Sequence, residues 1–577
     1  MSNRDILKRV LRHIEEYKVQ VFLSLACAVV CVVTTLYAPV LFGDAIDYII
    51  APGQVYFSDI KGIITKLIFV IAITVISQLI MNMINNQITY SVVQDIRIKA
   101  FNHLEFLPLS YIDSVKHGDI VSRIVSDIDT LADGLLMGFS QLFTGLVTIL
   151  GTLCFMLSIN VPIAIVVVIL TPISLFVASH IARSTHRLFV RQAESRGELT
   201  ALVDEMIGEQ KVVQAFSYED TALERFEMIN EQLEADSMRA TFYSSLTNPS
   251  TRFVNGLVYT AVGIIGALSV IRGKLSVGKL TAFLSYANQY TKPFNEISNV
   301  ITELQNAIAC AGRVFELLDT PQEERELDEK KLSQVRGEVN ISHVDFSYDK
   351  EKELIKELNL FVKPGMRVAI VGPTGSGKST LINLLMRFYD VDAGSISVDG
   401  TEIRRCDRIS LRNSYGMVLQ ETWLKNGTVK ENIAYGKKDA TDAQIIEAAK
   451  KSHAHSFIKR LPQGYDTVIS EDGGQLSQGQ KQLLCITRVM LLSPPMLILD
   501  EATSSIDTMT EIRIQRAFKK MMEGRTSFIV AHRLSTIRES DVILVMKEGK
   551  IIEQGSHDEL LRKRGFYHEL FYSQFAH

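Results

Sequence analysis

The chain has 577 residues, and at roughly 100 to 200 residues per domain this length predicts at least two domains and excludes a single small enzyme fold. Apolar residues make up 47% and charged residues 22%, a balance too apolar for a disordered chain and unusually apolar for a wholly soluble one, so part of the chain is expected to lie in lipid. The formal net charge of -4 excludes the overall positive field that is typical of nucleic-acid-binding proteins.

The first half of the chain contains apolar runs of the length that a membrane-spanning helix needs, about 20 residues. Five runs meet this length, and a sixth is weaker because it contains the polar residues Asn288, Gln289, Lys292 and Glu296. Either these side chains line a pathway, or the second half of the run has left the bilayer. The six runs are residues 21–41, 67–84, 142–159, 161–177, 254–271 and 277–300.

Lysine and arginine are distributed unevenly between the loops, and this asymmetry predicts the orientation of the spans. They concentrate before the first run, between the second and third, and between the fourth and fifth, and they are sparse in the other loops. The first run is long for the apolar part of a secretory signal peptide, and no small-residue cleavage pattern follows it. We therefore expect a multi-pass protein of the plasma or inner membrane with both termini in the cytoplasm.

The segments around the spans are expected to be helical as well. Residues 1–18 place apolar side chains at helical spacing between basic ones, which predicts a helix on the inner membrane surface. Residues 85–141 and 178–252 are rich in charge and nearly free of glycine, so they predict helices that continue beyond the membrane face. Each is expected to turn back near its middle, at Pro108 and at Gly208, and an extracellular hairpin is expected at residues 158–162.

The second half of the chain has a different character. Residues 320–337 predict a linker between a membrane domain at 19–319 and a soluble domain at 338–577. In the soluble domain, short apolar or alternating stretches alternate with helical ones, which predicts an α/β fold with a largely parallel sheet. The predicted strands are residues 339–346, 366–371, 416–419, 496–500, 527–531 and 542–546.

A glycine-rich loop directly follows the second of these strands and precedes a helical stretch. It matches the phosphate-binding pattern G-x-x-x-x-G-K-[ST] in the required context, where backbone N–H groups surround phosphate oxygens. Lys378 is expected to reach the β- and γ-phosphates of ATP, and Ser379 to bind Mg²⁺. The predicted loop consists of Gly372, Pro373, Thr374, Gly375, Ser376, Gly377, Lys378 and Ser379, with Thr380 beside it.

Two carboxylates occur where the predicted strand at residues 496–500 ends, one on its last residue and one on the residue that follows. Asp500 is expected to hold Mg²⁺, and Glu501 to orient or deprotonate the attacking water. An acidic pair after a strand is common, and it gains meaning here from the phosphate-binding loop upstream. The sequence thus predicts an α-helical six-span membrane domain followed by an α/β P-loop ATPase domain that uses ATP and Mg²⁺.

The pentapeptide Leu476-Ser477-Gln478-Gly479-Gln480 resembles the L-S-G-G-Q signature of ATP-binding cassette (ABC) transporters, with Gln478 at the third position. Nearly the whole chain is similar to exporter half-transporters of this family, in which one membrane domain precedes one nucleotide-binding domain. The resemblance implies a dimer that sandwiches two ATP molecules. It also implies that Ser477, Gly479 and Gln480 contact the nucleotide held by the partner subunit.

Further positions match the family in order, and the resemblance implies a role for each. Tyr348 looks like the aromatic residue that stacks on adenine, and Asp507 resembles the loop that couples the two ATP sites. Gln420 looks like the glutamine that contacts Mg²⁺ or the attacking water, and His532 like the switch histidine at the γ-phosphate. Glu471 resembles the exporter-specific contact to the membrane domain.

The glutamine at position 478 bears on the partner subunit. In the family, an altered signature beside an intact catalytic glutamate often occurs in a chain that pairs with a different half-transporter, which favours a heterodimer over a homodimer. The resemblance implies ATP-driven export, and an ATP-gated channel or regulator on the same fold is the alternative. The substrate remains open among small molecules such as drugs, lipids and peptides. Residues that line a substrate cavity, or serve helix packing instead, are Asn82, Asn85, Asn86, Asn255, Tyr286, Asn288 and Gln289.

Overall fold

A computed structural model describes residues 2–51, 54–323, 330–350, 352, 354–419, 422–470, 474, 476–500, 506–531 and 534–574. The chain divides into two compact units. The first comprises Met1–Phe106 and Val115–Thr320, and the second comprises Leu107–Ser114 and Pro321–His577.

The first unit is built from helices, several of which are longer than a bilayer is thick. Helices α3 and α8, each of 48 residues, would measure about 72 Å at 1.5 Å per residue, whereas the hydrocarbon core is about 30 Å thick. The elements here are α1 (Asn3–Ile14), α2 (Lys18–Asp47), β1 (Ile49–Ala51), β2 (Gln54–Val55), α3 (Phe57–Leu104), α5 (His117–Ile124), α6 (Ser126–Met137), a π-helical turn (Gly138–Leu142), α7 (Phe143–Ile159), α8 (Val161–Gly208), α9 (Gln210–Ala215), α10 (Glu219–Ser245), α11 (Thr247–Ile271) and α12 (Val277–Asp319). Helix α4 (Leu109–Ser114), between α3 and α5 in the chain, belongs to the second unit.

Four helical stretches of the described residues are long and apolar enough to cross a bilayer. They are Asn3–Asp47, Phe57–Leu104, His117–Ile159 and Glu219–Ile271, and Val161–Ile173 forms a shorter apolar helix. The predicted sixth span lies within the continuous helix α12. Six spans and cytoplasmic termini stay predictions.

The predicted turns of the membrane domain are confirmed. Helix α3 ends shortly before Pro108, and α8 ends at Gly208. The hairpin expected at residues 158–162 is a sharp turn between α7 and α8, in which the Asn160 side chain accepts a hydrogen bond from the Ile163 N–H and so caps α8. Because α8 begins with Val161 and Pro162, the proline removes an N–H that has no partner within the helix in any case.

The N-terminal helix is amphipathic, as predicted, and its apolar face packs on α3 and α12. Ile6, Val10 and Ile14 are buried in a cluster with residues of both helices. Arg9 donates to the Asp319 carboxylate at 2.7 Å, and its guanidinium lies 4.4 Å from the centre of the Phe315 ring. These contacts fix α1 to the end of α12.

Helices α2 and α12 approach each other very closely at Gly43 and Gly278. A Cβ atom added to Gly278 would lie 1.9 Å from the Gly43 carbonyl oxygen, so these backbones can meet only because both residues are glycine. The Asp47 carboxylate accepts from the Gly278 N–H at 2.7 Å and from the Ser276 hydroxyl at 2.6 Å. A carboxylate at the start of α12 also complements the helix dipole.

The second unit contains two larger sheets. A six-stranded sheet has the order β14-β13-β5-β12-β11-β8 and is parallel except for β14, which confirms the predicted parallel sheet. A four-stranded antiparallel sheet has the order β4-β3-β6-β7, and the predicted strand at 339–346 belongs to it. The strands are β3 (Val339–Phe346), β4 (Ile355–Val362), β5 (Arg367–Val371), β6 (Ala393–Val398), β7 (Thr401–Glu402), β8 (Tyr415–Val418), β9 (Gly427–Thr428), β10 (Val468–Ile469), β11 (Met496–Asp500), β12 (Thr526–Val530), β13 (Val542–Lys547) and β14 (Lys550–Gly555).

Helices cover the parallel sheet, and their apolar faces form a core with its buried strands. Strand β12 is buried along its whole length, as expected for a central parallel strand with helices or sheet on both faces. The helices are α13 (Lys378–Leu385), α14 (Arg408–Asn413), α15 (Val429–Ile433), α16 (Asp442–Lys451), α17 (His455–Ile458), α18 (Gln478–Leu492), α19 (Thr508–Met522), α20 (Leu534–Arg538), α21 (His557–Lys563) and α22 (Phe566–Gln574).

Candidate nucleotide-binding site

A glycine-rich loop leaves the carboxyl end of β5 and leads into α13. Gly375 and Gly377 have φ values of 80° and 97°, in the left-handed region that favours glycine. Pro373 and Thr374 lie between Gly372 and Gly375 in this loop. At Gly372 a Cβ would lie 2.2 Å from the Met546 carbonyl oxygen, so β13 leaves no room for a side chain there. The predicted glycines are therefore required by the loop geometry itself.

Two polar side chains of this loop fit a bound polyphosphate. Lys378 Nζ donates to the carbonyl oxygens of Gly372 and Pro373, both at 2.9 Å, so its ammonium group is held over the loop. Burial lowers the pKa of Lys378, and the charge of Asp500 opposes that shift. The Ser376 side chain is buried, and its Oγ has no hydrogen-bond partner among the described residues. An anion beside the loop would compensate both groups.

Helix α13 begins at Lys378, so Ser379 and Thr380 lie in its first turn. The free N–H groups and the positive dipole end of a helix favour an anion at this position. The role of Ser379 as a ligand of Mg²⁺ stays a prediction.

The strand register brings further predicted residues to the same edge of the sheet. Val530 at the end of β12 pairs with Asp500 on one side and with Ile370 of β5 on the other. Asp500 therefore ends β11 at the edge where the phosphate-binding loop begins. Glu501 and His532 follow these strand ends in sequence, but both residues lie outside the described part of the chain, and so do Gln420 and Glu471. Their roles stay predictions.

Tyr348 belongs to an aromatic cluster that sequence reasoning did not identify. Its ring makes edge-to-face contacts with Phe346 and Tyr389, each at 4.9 Å between ring centres, and its hydroxyl accepts from Asn383 of α13. Half of the Tyr348 residue surface is exposed, which leaves ring surface available for adenine.

The same cluster extends to helix α4. The Tyr389 hydroxyl donates to the carboxylate of Asp113. Burial and the adjacent Asp113 raise the pKa of Tyr389, so the phenol stays protonated and keeps donating this hydrogen bond. Tyr348, the candidate for stacking on adenine, is therefore linked through Tyr389 to Asp113 of α4.

The signature pentapeptide forms the capped start of α18. The Ser477 hydroxyl accepts from the Gln480 N–H, and the Gln480 side chain accepts from the Ser477 N–H, which is a capping box. Gln478 donates to the Thr422 hydroxyl at 3.3 Å, two residues after Gln420. The residue that departs from the family pattern therefore ties the signature helix to the loop beyond Gln420.

Gly479 and Asp507 are brought together by helix α19. A Cβ on Gly479 would lie 2.4 Å from Thr510 Cγ2, and the Asp507 carboxylate caps α19 by accepting from the Thr510 N–H at 2.9 Å. These hydrogen bonds lower the pKa of Asp507. The contact of Gly479 with Thr510 joins two distant motifs and carries no signal in the sequence.

Comparisons with known proteins show the family to which this chain belongs. The family model described as "ABC transporter transmembrane region" matches residues 21–294, and the one described as "ABC transporter" matches residues 355–504. A fatty acid ABC transporter ATP-binding/permease protein of Mycobacterium bovis is 45% identical over 80% of this chain and 73% of its own length. An ATP-dependent lipid A-core flippase of Desulfotalea psychrophila is 35% identical over 100% of both chains.

Among solved structures, a bacterial Atm1-family ABC exporter with ATP bound has a TM-score of 0.78 and 28% identity, covering 98% of this chain and 99% of that one. The match thus spans the membrane domain and the ATPase domain together, in the order in which both occur here. Half-transporters of this architecture act as dimers, and their ATPase domains bind ATP. The chain belongs to the ABC transporter family, as an exporter-type half-transporter that couples ATP hydrolysis to transport across a membrane.

Proposed function

We propose that this chain moves an amphipathic substrate outward across the plasma or inner membrane, with both termini in the cytoplasm and one ATP site in each subunit of a dimer. The observation that carries the proposal is the phosphate-binding loop with the held ammonium group of Lys378 and the buried hydroxyl of Ser376. The domains proposed are an interfacial helix (1–18), a membrane domain (19–319), a linker (320–337) and an ATPase domain (338–577).

The residues of the loop supply charge and position for phosphoryl transfer. When ATP enters, Lys378 exchanges two neutral carbonyl acceptors for anionic phosphate oxygens, so that both partners of each hydrogen bond are charged. Ser379 and Asp500 would hold Mg²⁺, which neutralises charge on the phosphates. Glu501 orients the attacking water, and Gln420 and His532 complete the surroundings of the γ-phosphate.

The signature helix completes the site of the partner subunit. The start of α18 offers the Ser477 hydroxyl and the free backbone N–H groups of its first turn to a phosphate that approaches along the helix axis. Gln478 is exposed at the start of α18, and we expect its side chain to crowd a nucleotide that approaches the helix there. This placement supports a heterodimer, in which the site completed by Gln478 binds ATP more weakly than the other.

The relatives support a lipid-like substrate among the classes left open by the sequence. One relative is named a fatty acid ABC transporter, and another is named a lipid A-core flippase. Both kinds of molecule combine an apolar chain with a polar headgroup, which suits a pathway through membrane helices.

Replacement of the catalytic carboxylate tests the proposed chemistry. Glu501→Gln should retain ATP binding and lose ATP turnover by at least about a hundredfold, because the water is no longer activated. Undiminished turnover in the purified, lipid-embedded variant would refute the assignment. Uphill transport by inside-out vesicles separates a pump from an ATP-gated channel, which only dissipates a gradient. Native mass measurement of the complex isolated from its host decides the pairing, since a mass of two identical chains would contradict the heterodimer.

A further inference from the structure

A cavity of about 350 Å³, lined by both polar and apolar side chains, lies between helices of the first unit. Its walls come from α2, α3, α7 with the preceding π-helical turn, and α12, and all of the wall residues fall within or next to four predicted spans. This volume is within the range of about 300 to 1,000 Å³ that is typical of small-molecule sites. A π-helical turn, here at Gly138–Leu142, occurs frequently at functional sites.

Gln289 gives the cavity an unmet hydrogen-bond acceptor. Its side-chain Oε1 is buried and has no partner among the described residues, although the residue lines the cavity. Pro293 also lines the cavity and has no N–H, so the Gln289 carbonyl lacks its usual partner four residues later in α12. The buried Oε1 of Gln289 therefore points to a ligand with an N–H or O–H donor.

Among the described residues that line the cavity, Lys292 is the one that carries a charge. It lies in the second half of the predicted sixth span, and a charged side chain in a membrane span is costly and is usually retained for a function. An ammonium group at this place favours an anionic oxygen.

The part of the cavity wall that α2 contributes is largely apolar. Val32 and Leu36 on α2 are buried and line it together with Cys31. An aliphatic chain can pack on this surface while its headgroup lies against Gln289 and Lys292, which are separated by less than one turn of α12.

We propose that this cavity binds an acidic amphiphile whose headgroup carries an N–H or O–H donor next to the acid, the chemistry of an N-acyl amino acid. Lys292 binds the acidic oxygen, Gln289 accepts the donor, and the α2 wall packs on the chain. The proposal deepens the proposed export function by naming the charge and the headgroup of the substrate.

Binding of three probes to the full-length transporter tests this inference. The probes are N-dodecanoylglycine, dodecanoate, which lacks the N–H donor, and N-dodecanoylglycinamide, which lacks the charge. Calorimetric titration uses transporter in nanodiscs of zwitterionic lipid without nucleotide. N-dodecanoylglycine should bind tightest, and Lys292→Gln should weaken it about tenfold or more, because a hydrogen bond to a charged group is lost. Gln289→Leu should weaken the binding of N-dodecanoylglycine several-fold and leave the affinity for dodecanoate unchanged.

Two further variants control for folding and for general charge effects. Lys292→Arg should keep most of the affinity, and Lys279→Gln, exposed on the same helix and outside the cavity, should bind like the unaltered protein. Equal binding of the neutral amide, or equal losses in Lys292→Gln and Lys279→Gln, would overturn the proposal. Because binding is measured without ATP, loss of ATP turnover would refute the proposed function and leave this result standing.

Discussion

Alanine at Gly278 should destabilise the membrane domain because two backbones meet there. The added Cβ would lie 1.9 Å from the Gly43 carbonyl oxygen, and an ordinary contact begins at 3.4 Å, so α2 and α12 must separate by about 1.5 Å. That movement breaks the hydrogen bond of 2.7 Å between the Gly278 N–H and Asp47. Overpacking costs about 1 to 3 kcal/mol, and a hydrogen bond to a charged group contributes about 1.5 to 3 kcal/mol.

We take the lower ends of both ranges, because the Asp47 carboxylate is exposed and partly solvated, and they give a loss of about 2.5 kcal/mol. At about 2 °C per kcal/mol, the midpoint of thermal unfolding should fall by about 5 °C. Thermal unfolding of the lipid-embedded protein, followed by labelling of its buried cysteines with a thiol-reactive dye, measures this shift.

Gly263→Ala on α11 is the matched control for this substitution. A Cβ there would have no atom within 4 Å, so the change should be neutral or stabilise by up to about 1 kcal/mol through helix propensity. An unfolding midpoint of Gly278→Ala within 2 °C of the control would refute the close approach of the two backbones.

Three further substitutions test other parts of the chain. Lys378→Met should weaken the binding of ATP about 10- to 100-fold in a nucleotide-binding titration, since the charge-assisted hydrogen bonds of Lys378 are lost. An unchanged affinity would show that Lys378 does not contact the phosphates. Arg313→Leu should destabilise the first unit by about 3 kcal/mol, because the Asp127 carboxylate is only 4% exposed and loses the guanidinium that contacts it at 2.5 and 2.7 Å. The double variant Arg313→Leu/Asp127→Leu should regain much of the lost stability in the same thermal assay. Gln478→Gly should lower the ATP concentration for half-maximal turnover several-fold, and no change would contradict crowding of the signature by this side chain.

The elements of both units were predictable where the pattern is local. Strand β11, Met496–Asp500, is a continuous apolar run, and its observed bounds coincide with the prediction. The antiparallel sheet was not predicted, because β6, Ala393–Val398, has only two buried positions and begins with an Ala-Gly pair that gives no strand signal. Its pairing with β3 also contains a register shift, so alternation along the sequence is interrupted.

The phosphate-binding loop could be read from the sequence because its eight residues are contiguous and their backbone conformation depends on the glycines. The surroundings of the loop could not. Tyr389 contacts Asp113 across 276 residues, and Gln478 contacts Thr422 across 56 residues. Such contacts depend on how elements pack, and no spacing rule connects a tyrosine after α13 with an aspartate in α4.

Packing also changes the meaning of a glycine in the signature. The resemblance implies that Gly479 contacts the partner's nucleotide, and the space beside it is filled by Thr510 Cγ2 and Ile506 Cγ2, which an added Cβ would approach to 2.4 and 3.0 Å. Thr510 is also the residue whose N–H is capped by Asp507. The start of α18 and the start of α19, which Asp507 caps, therefore pack directly on each other. We expect a displacement of the signature to be passed on to the loop predicted to couple the two ATP sites, and this packing is the physical basis for that expectation.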